Sequence, residues 1–227
     1  MLKFSNQKEN GQIIPVFGKN TFSIALILFI STCLGNSLDI QSKLDLLPVP
    51  IVRQSTSYSC GSAALLSVLY YWKVSSVGEQ ELHKPLQTDA EFGTHPVSLT
   101  EHAKLYGLKA ELKTKTSLEE IESAVRKGEP VIVDFQAWGT ETQRIDYSSI
   151  WDSGHYGVVI GFDRKYLYLM DPVLGSSYGK IEKGDFLKRW HDYETRNGKS
   201  EYYAQAAIFI SGKEKLSQFP AAVSSID

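Results

Sequence analysis

The longest nearly unbroken apolar stretch after the N-terminal region runs from Ser62 to Trp72 and carries Ala63, Ala64, Leu65, Leu66, Val68, Leu69, Tyr70 and Tyr71. It is apolar almost all round, which predicts a helix in the middle of a core rather than on a surface. Three helix starts follow with Ser and Glu at capping-box spacing, Ser76 with Glu79, Ser98 with Glu101 and Ser117 with Glu120. The second and third of these helices are expected to stop at Gly107 and Gly128, as left-handed C-terminal caps require. Beyond Gly128 the pattern changes. Residues Pro130 to Phe135 form a β-rich run, Gln136 to Ser153 reads as a loop carrying Trp138 and Trp151, and two strands follow, His155 to Phe162 and Tyr166 to Pro172. A tight turn at Asp163-Arg164-Lys165 joins them. Phe186, Leu187 and Trp190 predict the apolar face of a late helix. Helices first and strands later, without strand-helix alternation, predict an α+β fold with a mostly antiparallel sheet.

The N-terminal pattern is of another kind. Phe22 to Leu34 is almost wholly apolar, with Lys3, Lys8 and Lys19 before it and Gly35-Asn36-Ser37 after it. That run is shorter than the roughly 20 residues of a membrane span and fits a signal-peptide core. Ile30-Ser31-Thr32-Cys33 also resembles a bacterial lipoprotein processing site. The expected organisation is an export signal or membrane anchor at 1–37, a linker at 38–47, a folded domain at 48–211 and a flexible tail at 212–227. An exported, periplasmic, secreted or membrane-anchored protein is therefore expected, with membrane association through the N-terminal segment.

Composition narrows the function. With 24 basic against 26 acidic side chains, the chain offers no electrostatic case for a nucleic-acid partner. Two cysteines exclude a disulfide framework. His83, His95, His102 and His191 show no metal-ligand spacing, so no metal or other cofactor is expected.

The second cysteine, Cys60, stands six residues after Gln54 and at the start of the central helix. A helix N-terminus carries roughly half a positive charge, which favours thiolate over thiol. His155 opens the first strand of the hairpin and Asp171 closes the second. If the hairpin turns about residue 163, the two lie opposite each other on one face, within reach of a carboxylate–imidazole hydrogen bond. A thiol at a helix start and a His–carboxylate pair form the set needed for nucleophilic acyl chemistry. Gln54, with the backbone N–H of Cys60, would hold the oxyanion of a tetrahedral intermediate. Gly61 would let a substrate backbone approach the nucleophile.

The pattern Gln54, Ser59-Cys60-Gly61-Ser62-Ala63-Ala64-Leu65, His155-Tyr156, Val158-Val159-Ile160-Gly161 and Asp171-Pro172 resembles the bacteriocin-processing, double-glycine-leader cysteine peptidases and their stand-alone relatives in the papain-like superfamily. The resemblance spans about residues 48 to 211. It implies a papain-like α+β fold, Cys60 as nucleophile, His155 as base, Asp171 as orienting carboxylate and Gln54 as oxyanion donor. A peptide or protein substrate follows, cleaved at a peptide or isopeptide bond. Leader-processing members commonly join this domain to a membrane exporter with an ATPase, which these residues lack, so the double-glycine substrate is not carried over. Many members also have Asp where Ser59 stands. The same residues would serve an acyl transferase or amidase; a non-catalytic binding module is disfavoured because cysteine, histidine and aspartate are all retained. The loops Thr88 to Pro96 and Gln136 to Ser153 are the expected seat of specificity.

Overall fold

The computed structural model describes residues 45–137, 146–196 and 199–218, which belong to one compact unit, Leu44–Asp227. The expected export segment, Cys33 and Trp138 lie outside the described residues. The central helix, α1, spans Cys60–Tyr71, and 10 of its 12 residues are buried. After a short 3₁₀ turn at Glu79–Leu82 come α2 (His83–Leu86), α3 (Pro96–Leu105), β1 (Lys109–Lys113), α4 (Leu118–Arg126) and β2 (Val131–Gln136). The second half holds β3 (Gly154–Phe162), β4 (Tyr166–Met170), β5 (Gly179–Glu182), α5 (Lys183–Arg189), β6 (His191–Arg196), β7 (Lys199–Ala204) and β8 (Ala207–Ser211).

Six strands form one sheet in the order β1-β8-β2-β3-β4-β5, every neighbouring pair antiparallel, and β6 and β7 form a separate hairpin. The expected α+β class with an antiparallel sheet is what the chain adopts. Alternation along each strand sends side chains to two cores. Ile132, Tyr156, Val158, Ile160, Met170, Ile208 and Ile210 pack with α1 and α3. Val131, Val133, Phe135, Val159, Leu167 and Leu169 pack with α4 and α5. Because helices cover both faces, β2 and β3 read in sequence as continuous apolar runs instead of alternating ones.

Of the three capping boxes, one forms. The Ser117 hydroxyl accepts from Glu120 N–H while Glu120 reaches back to Ser117 N–H. Ser98 instead lies inside α3, whose start is set by Pro96 and by His95, its ring accepting from Val97 N–H. Glu79 does not pair with Ser76. Only half of such a box forms, two residues on, where Glu81 accepts from Gly78 N–H and the glycine has no side chain to reciprocate, and Glu79 bonds Ser55 and His83 instead. Gly107 and Gly128 do end α3 and α4 with positive φ, 76° and 81°. Phe186 on α5 and Trp190 just after it are fully buried one turn apart, but Leu187 is off that face and 45% exposed. At the C-terminal side, Leu216 N–H donates to Tyr71 O, tying residues read as the start of a flexible tail to the end of α1.

Candidate active site

Cys60 is the first residue of α1, as its sequence position predicts, and Ser59 is the N-cap. Ser59 Oγ accepts from Thr56 N–H at 3.1 Å and is buried, so it braces the turn that presents the thiol. Gly61 has a different reason from the expected one. A Cβ there would sit 2.8 Å from Thr94 Cβ and 3.2 Å from Tyr156 Cδ2, so the position is closed by the protein's own side chains and not left open for substrate.

The hairpin brings His155 to Asp171, though not by the predicted register. Asp163 accepts from the N–H groups of Lys165 and Tyr166, which centres the turn one to two residues later than expected. A bulge between Val159 and Gly161 then gives Val158 opposite Met170. Asp171 thus falls beyond the last ladder pair, diagonal to His155 and not directly across from it. Diagonal neighbours remain on one face and within reach of longer side chains. His155 Nε2 and Asp171 Oδ1 are 3.1 Å apart, and Val173 N–H donates to the same oxygen at 2.8 Å.

The imidazole is 3% exposed, and Phe135, its cross-strand partner, packs against it edge to face with ring centroids 5.6 Å apart. With Nε2 on Asp171, the other nitrogen is left for the Cys60 thiol, which hydrogen-bonds the ring. Burial pulls the imidazole's pKa down, but hydrogen bonds and charges from Asp171 and Cys60 outweigh it and lift the group from 6.5 to about 9. Burial pushes the Asp171 carboxyl up, yet the bond to His155 and the backbone N–H groups of Val173 and Leu174 bring it below its ordinary value. The pair is arranged to hold the ring charged.

Gln54 lies on extended chain that is not a strand. Its backbone N–H donates to Pro172 O at 3.1 Å, joining the segment before the thiol to the end of the His–Asp hairpin. One proton of the side-chain amide goes to Thr56 O at 2.7 Å, while Oε1 is buried without a partner. Turning the amide over would set two oxygens against each other, so the NH₂ orientation is fixed, and its second proton remains to donate.

A cavity of about 320 Å³ opens beside Cys60. It takes residues from both loops expected to hold specificity, Ala90 to Thr94 from one and Trp151 and Asp152 from the other. It also takes Asp134, Asp192 and Glu194, none of them among the site residues expected from the sequence. The available signal was Asp134 itself, a carboxylate inside the apolar run of β2, where an unpaired charge is rare. Among the described residues no group of three His, Cys, Asp or Glu is placed to hold a metal ion. His83 pairs with Glu79, His191 bonds Ile150 O and His95 caps α3.

Helices on an antiparallel sheet, with a thiol at the start of the buried helix and an imidazole–carboxylate pair facing it, define the class: an α+β protein with the fold of the C39 peptidases. The chain belongs to the Peptidase_C39 like family, whose model matches residues 46–197. It is 35% identical over 125 residues to an uncharacterized protein of Methanothermobacter thermautotrophicus, covering 55% of this chain and 72% of that one. Its fold is similar to a putative C39-like peptidase from Bacillus anthracis, with a TM-score of 0.56, 21% identity, and 75% and 98% of the two chains covered. The peptidase domain of Streptococcus ComA, a bi-functional ABC transporter, gives a TM-score of 0.52 at 22% identity, covering 73% and 99%. Membership of this family points to cysteine-peptidase activity.

Proposed function

We propose that the protein is a cysteine peptidase that hydrolyses a peptide or isopeptide bond, with Cys60 as nucleophile, His155 as acid and base, Asp171 as the orienting carboxylate and Gln54 as oxyanion donor. The observation that carries this reading is the buried imidazole held between the Cys60 thiol and Asp171 Oδ1. His155 takes the thiol proton, and the thiolate attacks the substrate carbonyl carbon. The resulting oxyanion lies between the Gln54 NH₂ and the backbone N–H of Cys60, which sits in a first turn where no carbonyl of its own helix can accept it. The tetrahedral species collapses to a thioester as the His155 imidazolium protonates the leaving amine. Water, deprotonated by the same ring, releases the acid and restores the thiol. Asp171 keeps Nε2–H bonded throughout, so the other nitrogen always faces sulfur.

The reaction takes place outside the cytoplasmic membrane in this reading, supported by the apolar run from Phe22 to Leu34 and its basic flank. Peptide cleavage by the full chain, profiled by mass spectrometry beside Cys60→Ala, tests the chemistry. Cleavage should vanish in the variant, and products that persist undiminished would refute the assignment of the nucleophile.

A further inference from the structure

The cavity beside Cys60 is walled by carboxylates and, among its described residues, has no basic side chain. Glu91, Asp134, Asp152, Asp192 and Glu194 all line it. Three of them are nearly excluded from water: Asp134 is 3% exposed, Glu194 7% and Asp192 8%. Strand geometry explains the grouping. Asp134 on β2 is the direct cross-strand partner of Tyr156 on β3, so both point to the same face. Asp192 and Glu194 are two apart on β6 and share a face, while Tyr193 between them is turned outward and 37% exposed.

Parts of this cluster are satisfied internally. Asp192 Oδ1 accepts from Gln136 Nε2 at 3.0 Å and from Tyr193 N–H at 2.9 Å. Asp134 has no N–H or hydroxyl donor on either carboxylate oxygen and only the Asp192 carboxyl as a polar neighbour, and the Tyr156 hydroxyl beside it has no hydrogen-bond partner. A buried carboxyl that meets only another carboxyl is costly to hold in its charged form. Burial and the neighbouring Asp192 and Glu194 charges accordingly push Asp134 well above the ordinary carboxylate range. Gathering acidic groups out of water is costly to a fold, and a ligand cation would offset that cost. The carboxylates do not converge as a metal site requires. They are spread along a cavity whose mouth carries Phe92, 41% exposed, and Trp151, 37% exposed. That shape suits a long side chain with an apolar stem and a charged head.

We propose that this cavity is a specificity subsite for a lysine or arginine side chain of the substrate, next to the bond that Cys60 attacks. The inference rests on the peptidase reading and adds the substrate class to it. The stem lies against Phe92 and Trp151, and the head reaches Asp192, Glu194 and Asp134.

Two measurements on the full chain test it. The first maps Cys60-dependent cleavages in a peptide library, followed by matched peptides with lysine or norleucine at the preferred position. Basic residues should be enriched at one fixed position near the cut, with kcat/KM at least tenfold higher for lysine than for norleucine. Asp192→Asn and Glu194→Gln should bring that ratio toward one. The second compares labelling of Cys60 by 2-aminoethyl and 2-sulfonatoethyl methanethiosulfonate, read by peptide mapping and normalised to free cysteine. The cationic reagent should be favoured at least tenfold in the unsubstituted protein, an outcome that needs no variant to fold and no peptide to be cut. Cleavage without basic preference, together with labelling indifferent to charge, would overturn the subsite and leave the peptidase reading standing. Absence of any Cys60-dependent cleavage would overturn the peptidase reading and this one with it.

Discussion

Replacing Asp171 with Asn separates charge from orientation, because Asn retains an Oδ1 acceptor for His155 Nε2–H and removes only the negative charge. In the native chain His155 is raised from 6.5 to about 9 against the opposing effect of its burial. That rise corresponds to roughly 3–4 kcal/mol favouring the charged ring. The folded-state value lies above the unfolded one, so this stabilisation is fully present below about pH 6.5 and is lost as pH rises through about 9. Activity that needs the imidazolium should fall along an alkaline limb near pH 9. In Asp171→Asn, burial still lowers the group and only Cys60 still raises it, so the limb should move down by more than one unit. The assay is kcat/KM against pH for both proteins, with the pH dependence of Cys60 alkylation as a check that needs no substrate. A variant whose alkaline limb stays within a few tenths of a unit of the native one would refute the electrostatic account of Asp171.

Two further substitutions probe the other parts of the site. Gln54→Ala should lower kcat about 10²–10³-fold with little change in KM, the usual loss of one oxyanion donor at roughly 3–4 kcal/mol; steady-state kinetics within threefold of native would remove Gln54 from the mechanism. Gly61→Ala should destabilise by about 1–2 kcal/mol, because the new methyl meets Thr94 Cβ at 2.8 Å in a buried turn and overpacking outweighs the gain in helix propensity. Thermal unfolding should show Tm lower by a few degrees, and an unchanged or higher Tm would refute overpacking at this position.

Local signals in the chain were good guides where a short segment decides its own structure. Ser117 with Glu120 caps α4 as its spacing predicts, since both partners lie within one turn. Ser98 with Glu101 has the same letters and fails, because Pro96 can only open a helix and so places the start earlier. The apolar run after Cys60 gave the buried helix because no amphipathic face is visible in it. Leu187 was misplaced because a seven-residue helix shows too little of its period to tell its faces apart. The strand β1, Lys109–Lys113, went unseen: it is a sheet edge without a fully buried position, and its pattern is mostly polar.

Spacing along the chain is enough to place one cysteine at the head of a core helix, to set a histidine and an aspartate on either side of a hairpin, and to give an α+β class with an antiparallel sheet. These properties rest on spacing, periodicity and turn chemistry, which act over a few residues. Tertiary structure decided the rest. The bulge in β3 set His155 diagonal to Asp171, and the Gln54 N–H bond to Pro172 O fastened two segments far apart in the chain. Packing of β6 beside β2 brought Asp192 and Glu194 to Asp134. Register depends on where a turn is centred, and a shared cavity depends on which strands meet; neither is encoded within one segment, because both are fixed only when separate surfaces bury one another.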